Sequence, residues 1–179
     1  IMSTPFDIPI TQPSSGGGGG LPFVSISTQA QSEVLNPYRD GKVIPDFSIT
    51  ITPTSATQKV HLSGVINGEW TLGASGFAGV FIKRNGSSLA PSNGESRMAI
   101  NGQFLLNAAN TSDGAQFPET CPFSFDDEPE TTSELTYEVF VTSAIEPTSD
   151  FFLNRTVTNT NNVYYKVFTS SFSAQCFEP

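Results

Sequence analysis

The sequence predicts an all-β protein: an antiparallel two-sheet β-sandwich or a barrel of about eight to ten strands behind an extended N-terminal arm. Three observations carry this. Apolar and polar residues alternate with a period of two in one short segment after another. Turn-forming residues, among 15 Gly and 13 Pro, separate those segments. Fifteen Phe stand against two Met and one Trp, a bias toward side chains that suit a pleated surface.

Residues 1–20 differ from everything after them. Pro5, Pro9 and Pro13 are spaced along IMSTPFDIPITQPSS, and Phe6, Ile8 and Ile10 are single apolar residues within it. Proline has no amide donor and a fixed φ, so the stretch favours an extended, solvated or partner-bound strand over a helix. Gly16 to Gly20 then form a flexible hinge. Phe6, Ile8 and Ile10 are the expected assembly residues of an arm that docks on a neighbour; a disordered leader is the other reading.

Residues 21–179 read as strands and turns of one domain. DFSITIT sets Phe47, Ile49 and Ile51 inward and stops at Pro53. QKVHLSGVIN sets Val60, Leu62 and Ile66 inward, with Gly64 between them, and Lys59, His61 and Ser63 outward. In AGVFIKRNG, Val80 and Ile82 alternate with Phe81 and Lys83 ahead of an Asn85-Gly86 hairpin signal. RMAINGQFLLN offers a strand or pair broken at Asn101-Gly102. CPFSFDDEP places Cys121, Phe123 and Phe125 on one face and ends in an acidic proline turn. ELTYEVFVT sets Leu135, Tyr137, Val139 and Val141 inward, with Phe140 the exception. FFLNRTV and VYYKVFTSSFSAQCF complete the set. A single sheet could not bury this much Phe on one face, so two sheets or a barrel are required.

Charged residues make up 14% of the chain, and the formal net charge is −9. Nucleic-acid binding needs clustered Lys and Arg, which an acidic chain with eight basic residues does not offer. Adhesion to an anionic bilayer is disfavoured for the same reason. No apolar run approaches the ~20 residues that span a membrane, and no signal-peptide pattern opens the chain. The first residue is Ile1, as in a chain that begins inside a longer or processed polypeptide.

Few residues suggest chemistry. His61 is the sole histidine and lies on the polar face of its strand, with no G-x-S-x-G elbow elsewhere, so a structural role is expected. Asp126, Asp127 and Glu128 form the densest acidic run; a turn opening toward Pro129 is the plain reading, and a calcium site aided by Asp113 the sharper one. Neighbouring carboxylates on a strand end point to opposite faces, which disfavours a glycosidase pair. Arg84, beside Lys83, reads as a solvated strand end. Asn85, Asn110 and Asn154 each begin an N-x-Ser/Thr acceptor pattern. Cys121 and Cys176 are either two buried thiols or one bridge between neighbouring strands. No catalytic, cofactor-binding or metal-binding residue is assigned, and no cofactor is called for.

The segments FSITITPTSATQKVHLSGVINGEW, VFIKRNGSSL, FSFDDEPETTSELTYEVFVTSA and FFLNRTV, followed by a polar-aromatic last strand, resemble a β-sandwich module found at the C-terminal ends of bacteriophage fibre proteins. The resemblance covers residues 45–177. It rests on Ile51 to Val60, on the Lys83 to Gly86 hairpin, and on the Asp127 to Thr132 turn leading to Tyr137. It implies a jelly roll similar to tumour-necrosis-factor and complement heads, assembled as a trimer. Two features depart from the pattern. A glycine-hinged leader stands in place of a long shaft, and the chain ends in Cys176-Phe177-Glu178-Pro179.

The expected function is therefore non-enzymatic: a virion structural protein, a fibre or attachment module on the particle surface that contacts a host glycan or protein through loops such as 101–117. The alternative is a capsid decoration protein docked to other virion proteins through its arm. Within the segment 163–177, Tyr164, Tyr165, Phe168, Phe172 and Phe177 fall on both faces, and a strand apolar on both sides is buried on both. These five are the expected contacts of a homotrimer.

Overall fold

Alternation with a period of two gives each strand one face for a core and one for water, and two sheets close over that core. The computed structural model describes residues 20–35, 37, 40–70, 78–90, 100–104, 119–143, 150–155 and 167–179. Its strands in chain order are β1 (Phe23–Thr28), β2 (Ser32–Val34), β3 (Lys42–Ile51), β4 (Lys59–Trp70), β5 (Ala78–Arg84) and β6 (Ser87–Ser88). They continue with β7 (Gly102–Gln103), β8 (Glu119–Asp127), β9 (Leu135–Ser143), β10 (Phe151–Leu153) and β11 (Ser170–Phe177). The pairings are antiparallel.

The first sheet runs β1-β11-β4, with β8 on the far side of β4. The short β10 continues along the β4 edge beyond β11 and carries β2 outside it. The second sheet runs β3-β9-β5, with β6 and β7 on the other edge of β5. From β3 onward, successive long strands (β3, β4, β5, β8, β9, β11) alternate between the sheets, as in a jelly-roll-like sandwich. β3 sits at a sheet edge, where Pro45 needs no ladder partner; its register shifts between Val43 and Ser48, and Asp46 adopts φ 56° there. The predicted hairpin is present: Asn85 and Gly86 both have positive φ, 49° and 82°, between β5 and β6.

The inward faces match the alternation. Phe47, Ile49, Ile51, Val60, Leu62, Ile66, Val80, Ile82, Leu135, Tyr137, Val139 and Val141 are all buried. Trp70, Phe104 and Phe151 pack at one end, and Phe172 bridges Phe47 and Phe123 in the middle. Such aromatic pairs each add ~0.5–1.5 kcal/mol beyond their area. Gly64 is required here, because a Cβ at its position would enter the Phe123 ring. Phe140, the exception in its strand, is explained on the outer face: it stacks on Phe81 of β5 at 5.1 Å, and the Lys83 ammonium caps it at 4.3 Å.

Candidate functional site

Adjacent strand residues face opposite ways, and the end of β8 uses this to send its acidic run in three directions. Asp127 points inward between the sheets. Arg84 Nη1 donates to both of its oxygens at 2.8 Å, and the Tyr137 hydroxyl donates to Oδ2 at 2.7 Å. One carboxylate from the first sheet thus ties two side chains of the second. Burial, followed by the neighbouring Asp127 carboxylate, pushes the Tyr137 phenol well above its ordinary range. The sequence reading of Arg84 as a solvated strand end is corrected: its guanidinium is largely covered and satisfies a buried carboxylate. Asp127 could have been flagged from sequence, because it shares parity with Cys121, Phe123 and Phe125.

Asp126 points outward to His61, its cross-strand partner on β4. His61 Nδ1 lies 2.6 Å from Asp126 Oδ1, and Nε2 lies 3.3 Å from Ser124 Oγ. The order carboxylate, imidazole, hydroxyl is the one that activates a nucleophile. The setting differs from a catalytic one. The His61 and Asp126 side chains are 42% and 53% exposed, and β4 has committed its amides to β8 and β11. Acyl transfer depends most on donors aimed at an oxyanion in a water-excluded site, and a wet sheet face supplies no such enclosure. Glu128 turns to Lys59 at 2.6 Å and, through that bond and its charge, raises the ammonium above its usual range. The three carboxylates therefore diverge, and no metal-holding group of three such ligands occurs among the described residues. Asp113 lies outside those residues.

On the same outer face, β1, β11 and β4 enclose a trough of about 560 Å³ rimmed by Ser25, Ser27, Ser63, Ser171, Ser173 and Phe23. Its lining carries no ionised side chain. Ser63 and Ser173 hydrogen-bond across it at 3.0 Å. Sequence reasoning missed this trough, because it arises from small residues on three strands whose pairing the sequence does not display.

The assembly residues divide. Phe6, Ile8, Ile10, Tyr164 and Tyr165 lie outside the described residues, as do most of the loop residues 101–117. Phe168 and Phe177, at opposite ends of β11, are partly exposed, and Val167 beside Phe168 is 55% exposed. Phe172 is corrected: at 1% exposure it is spent inside its own chain against Phe47 and Phe123 and is not a subunit contact. The outer face of β11 carries Ser171, Ser173, Gln175 and, at the end of the strand, Phe177, so within the strand itself Phe177 is the one apolar side chain on that face.

Cys121 and Cys176 are free, buried thiols. They sit opposite Ile66 and Val60 on the two sides of β4, six residues apart, or about 20 Å at ~3.3 Å per residue, which excludes a bridge. Burial pushes the Cys121 thiol up to about 12, so it is chemically quiet. Asn154 is fully buried at φ 55°. Its amide donates to the carbonyls of Thr28 and Ala30, and its Oδ1 accepts from Ser170. The finished fold therefore closes this acceptor pattern to a glycan. Glu119 is 4% exposed, with Oε2 unpartnered; burial, and then the nearby Glu69 charge, raise its carboxyl to about 7. No protein-family model matches the chain, and no curated protein matches its sequence.

Proposed function

We propose that this chain is the head module of a virion surface fibre, non-enzymatic and assembled as a homotrimer that contacts the host surface. The observation that carries this reading is the winding of the strands. Long strands alternate between two sheets around an aromatic core, as the resemblance to phage fibre modules and tumour-necrosis-factor-like heads implies. A rigid sandwich with neutral hydroxyl-bearing faces suits display and adhesion, and fold by itself does not choose the ligand. Leu21, Phe23 and Val167 are exposed, and Phe168 and Phe177 partly so, around β1 and β11. Phe23 and Phe177 stand at one end of the β1–β11 pair and Val167 and Phe168 at the other, and apolar side chains left in solvent favour association with other copies. Light scattering at micromolar concentration is expected to give the mass of three chains, and Phe177→Ser should lower it. A mass of one chain would refute the trimer.

A further inference from the structure

An edge strand offers unpaired amides and carbonyls to any extended segment within reach. β1 is such an edge, pairing with β11 alone among the described residues. The register decides which of its groups are free. The Cys176 amide donates to the Pro22 carbonyl at 2.8 Å, and in an antiparallel ladder bonded and non-bonded couples alternate. Val24, Ile26 and Thr28 therefore turn their backbone groups to β11, and Phe23, Ser25 and Ser27 turn theirs outward. Val24 and Ile26 pack on the core, so the side chains of Phe23, Ser25 and Ser27 lie on the outer face, at the rim of the serine trough.

The arm sequence is one-sided in a matching way. Pro5, Pro9 and Pro13 all occupy odd positions. In an extended chain, alternate residues direct their amides to opposite edges. The even edge, from Thr4 to Gln12, keeps every donor, and the odd edge loses one at each proline. Phe6, Ile8 and Ile10 are all even, so the complete pairing edge coincides with a row of large apolar side chains on one face.

We propose that residues 4–12 fold back within the same chain and add as an antiparallel strand to the free edge of β1. The backbone groups of Phe6, Ile8 and Ile10 pair with those of Ser27, Ser25 and Phe23. Opposed residues in such a ladder share a face, so Phe6 and Ile8 lie beside Ser27 and Ser25, Ile10 lies beside Phe23, and the three extend the rim of the trough. The prolines then line the new edge, where a missing donor is tolerated and further strand addition is blocked. The same chain is favoured over a neighbour because the hinge Gly16 to Gly20 ends one residue before Leu21. A short flexible tether of this kind holds its segment at an effective concentration on the order of millimolar. The inference stands apart from the fibre reading and needs no oligomer.

Amide hydrogen exchange on the full-length chain tests it, because the two parities respond differently. In the unsubstituted chain the amides of Phe23, Ser25 and Ser27 should exchange at least ~10-fold more slowly than in Ile8→Pro, which removes a paired donor. Asp7→Pro, on the closed edge, should leave that protection unchanged. Unprotected amides in the unsubstituted chain, or equal effects of the two prolines, would overturn the proposal. A second measurement joins Ile8→Cys to Ser25→Cys under oxidation. A bridge that closes within one chain on a non-reducing gel supports the assignment; one that forms only between chains, or not at all, overturns it.

Discussion

Asp126 and Asp127 are neighbours on β8, and pleating gives them different work. Asp126 lies in solvent beside His61, where water screens its charge and competes for each hydrogen bond. Asp127 is 8% exposed and holds a guanidinium and a phenol from the opposite sheet. Around Asp127, the loss of any one member leaves the others desolvated and unpaired, and that penalty exceeds the net worth of an intact pair. The cost of a carboxylate here follows from the face it occupies, since type and position along the chain are nearly the same.

Substitutions can break or sharpen that contrast. The largest effect is expected for Asp127→Ala, which strands Arg84 and Tyr137 and should cost about 3 kcal/mol, read as a lower urea midpoint. Tyr137→Phe keeps the ring and removes only the donor to Asp127. It should cost about 2 kcal/mol, in the range for a hydrogen bond to a charged group.

Glu119 extends the comparison to a buried carboxyl with no cation assigned to it. Its carboxyl, raised from 4.5 to about 7, favours the folded state below pH 4.5, and that advantage is lost as the pH rises through about 7. Glu119→Gln should therefore be more stable than the parent by about 1–2 kcal/mol at pH 8, with the gain fading toward pH 4. Urea titrations at the two pH values check this, and a gain independent of pH would remove charge as its cause. The smallest effect is expected for Asp126→Ala, within about 0.5 kcal/mol. If its midpoint fell as far as that of Asp127→Ala, the contrast between the two faces would be lost.

The sandwich was legible wherever one face is apolar and the other polar. Phe47, Ile49 and Ile51 in β3 and Leu135, Tyr137, Val139 and Val141 in β9 announce their burial by alternation alone. The polar clusters were not legible, because they are cross-strand objects. The trio Ser124, His61 and Asp126 depends on the register that sets His61 opposite Asp126 and Ser63 opposite Ser124. The pair Arg84 and Asp127 depends on two sheets meeting face to face. The segment 163–177 reads in sequence as one strand apolar on both faces, whereas β11 begins at Ser170 and turns Phe172 to the core side with Ala174 and Cys176.

Asn154 has a consequence for how the protein can be made. Its side chain joins the end of β10 to the end of β1 and the start of β11, and every hydrogen of its amide is used in doing so. In a nascent chain the same nitrogen heads Asn154-Arg155-Thr156 and is open to glycan transfer. A sugar placed there would forfeit the bonds to Thr28 and Ala30 and hold three strands apart. Folding and modification thus compete for one nitrogen atom: in a secretory compartment the sandwich must close before the transferase arrives, and in a compartment without that enzyme the race does not exist.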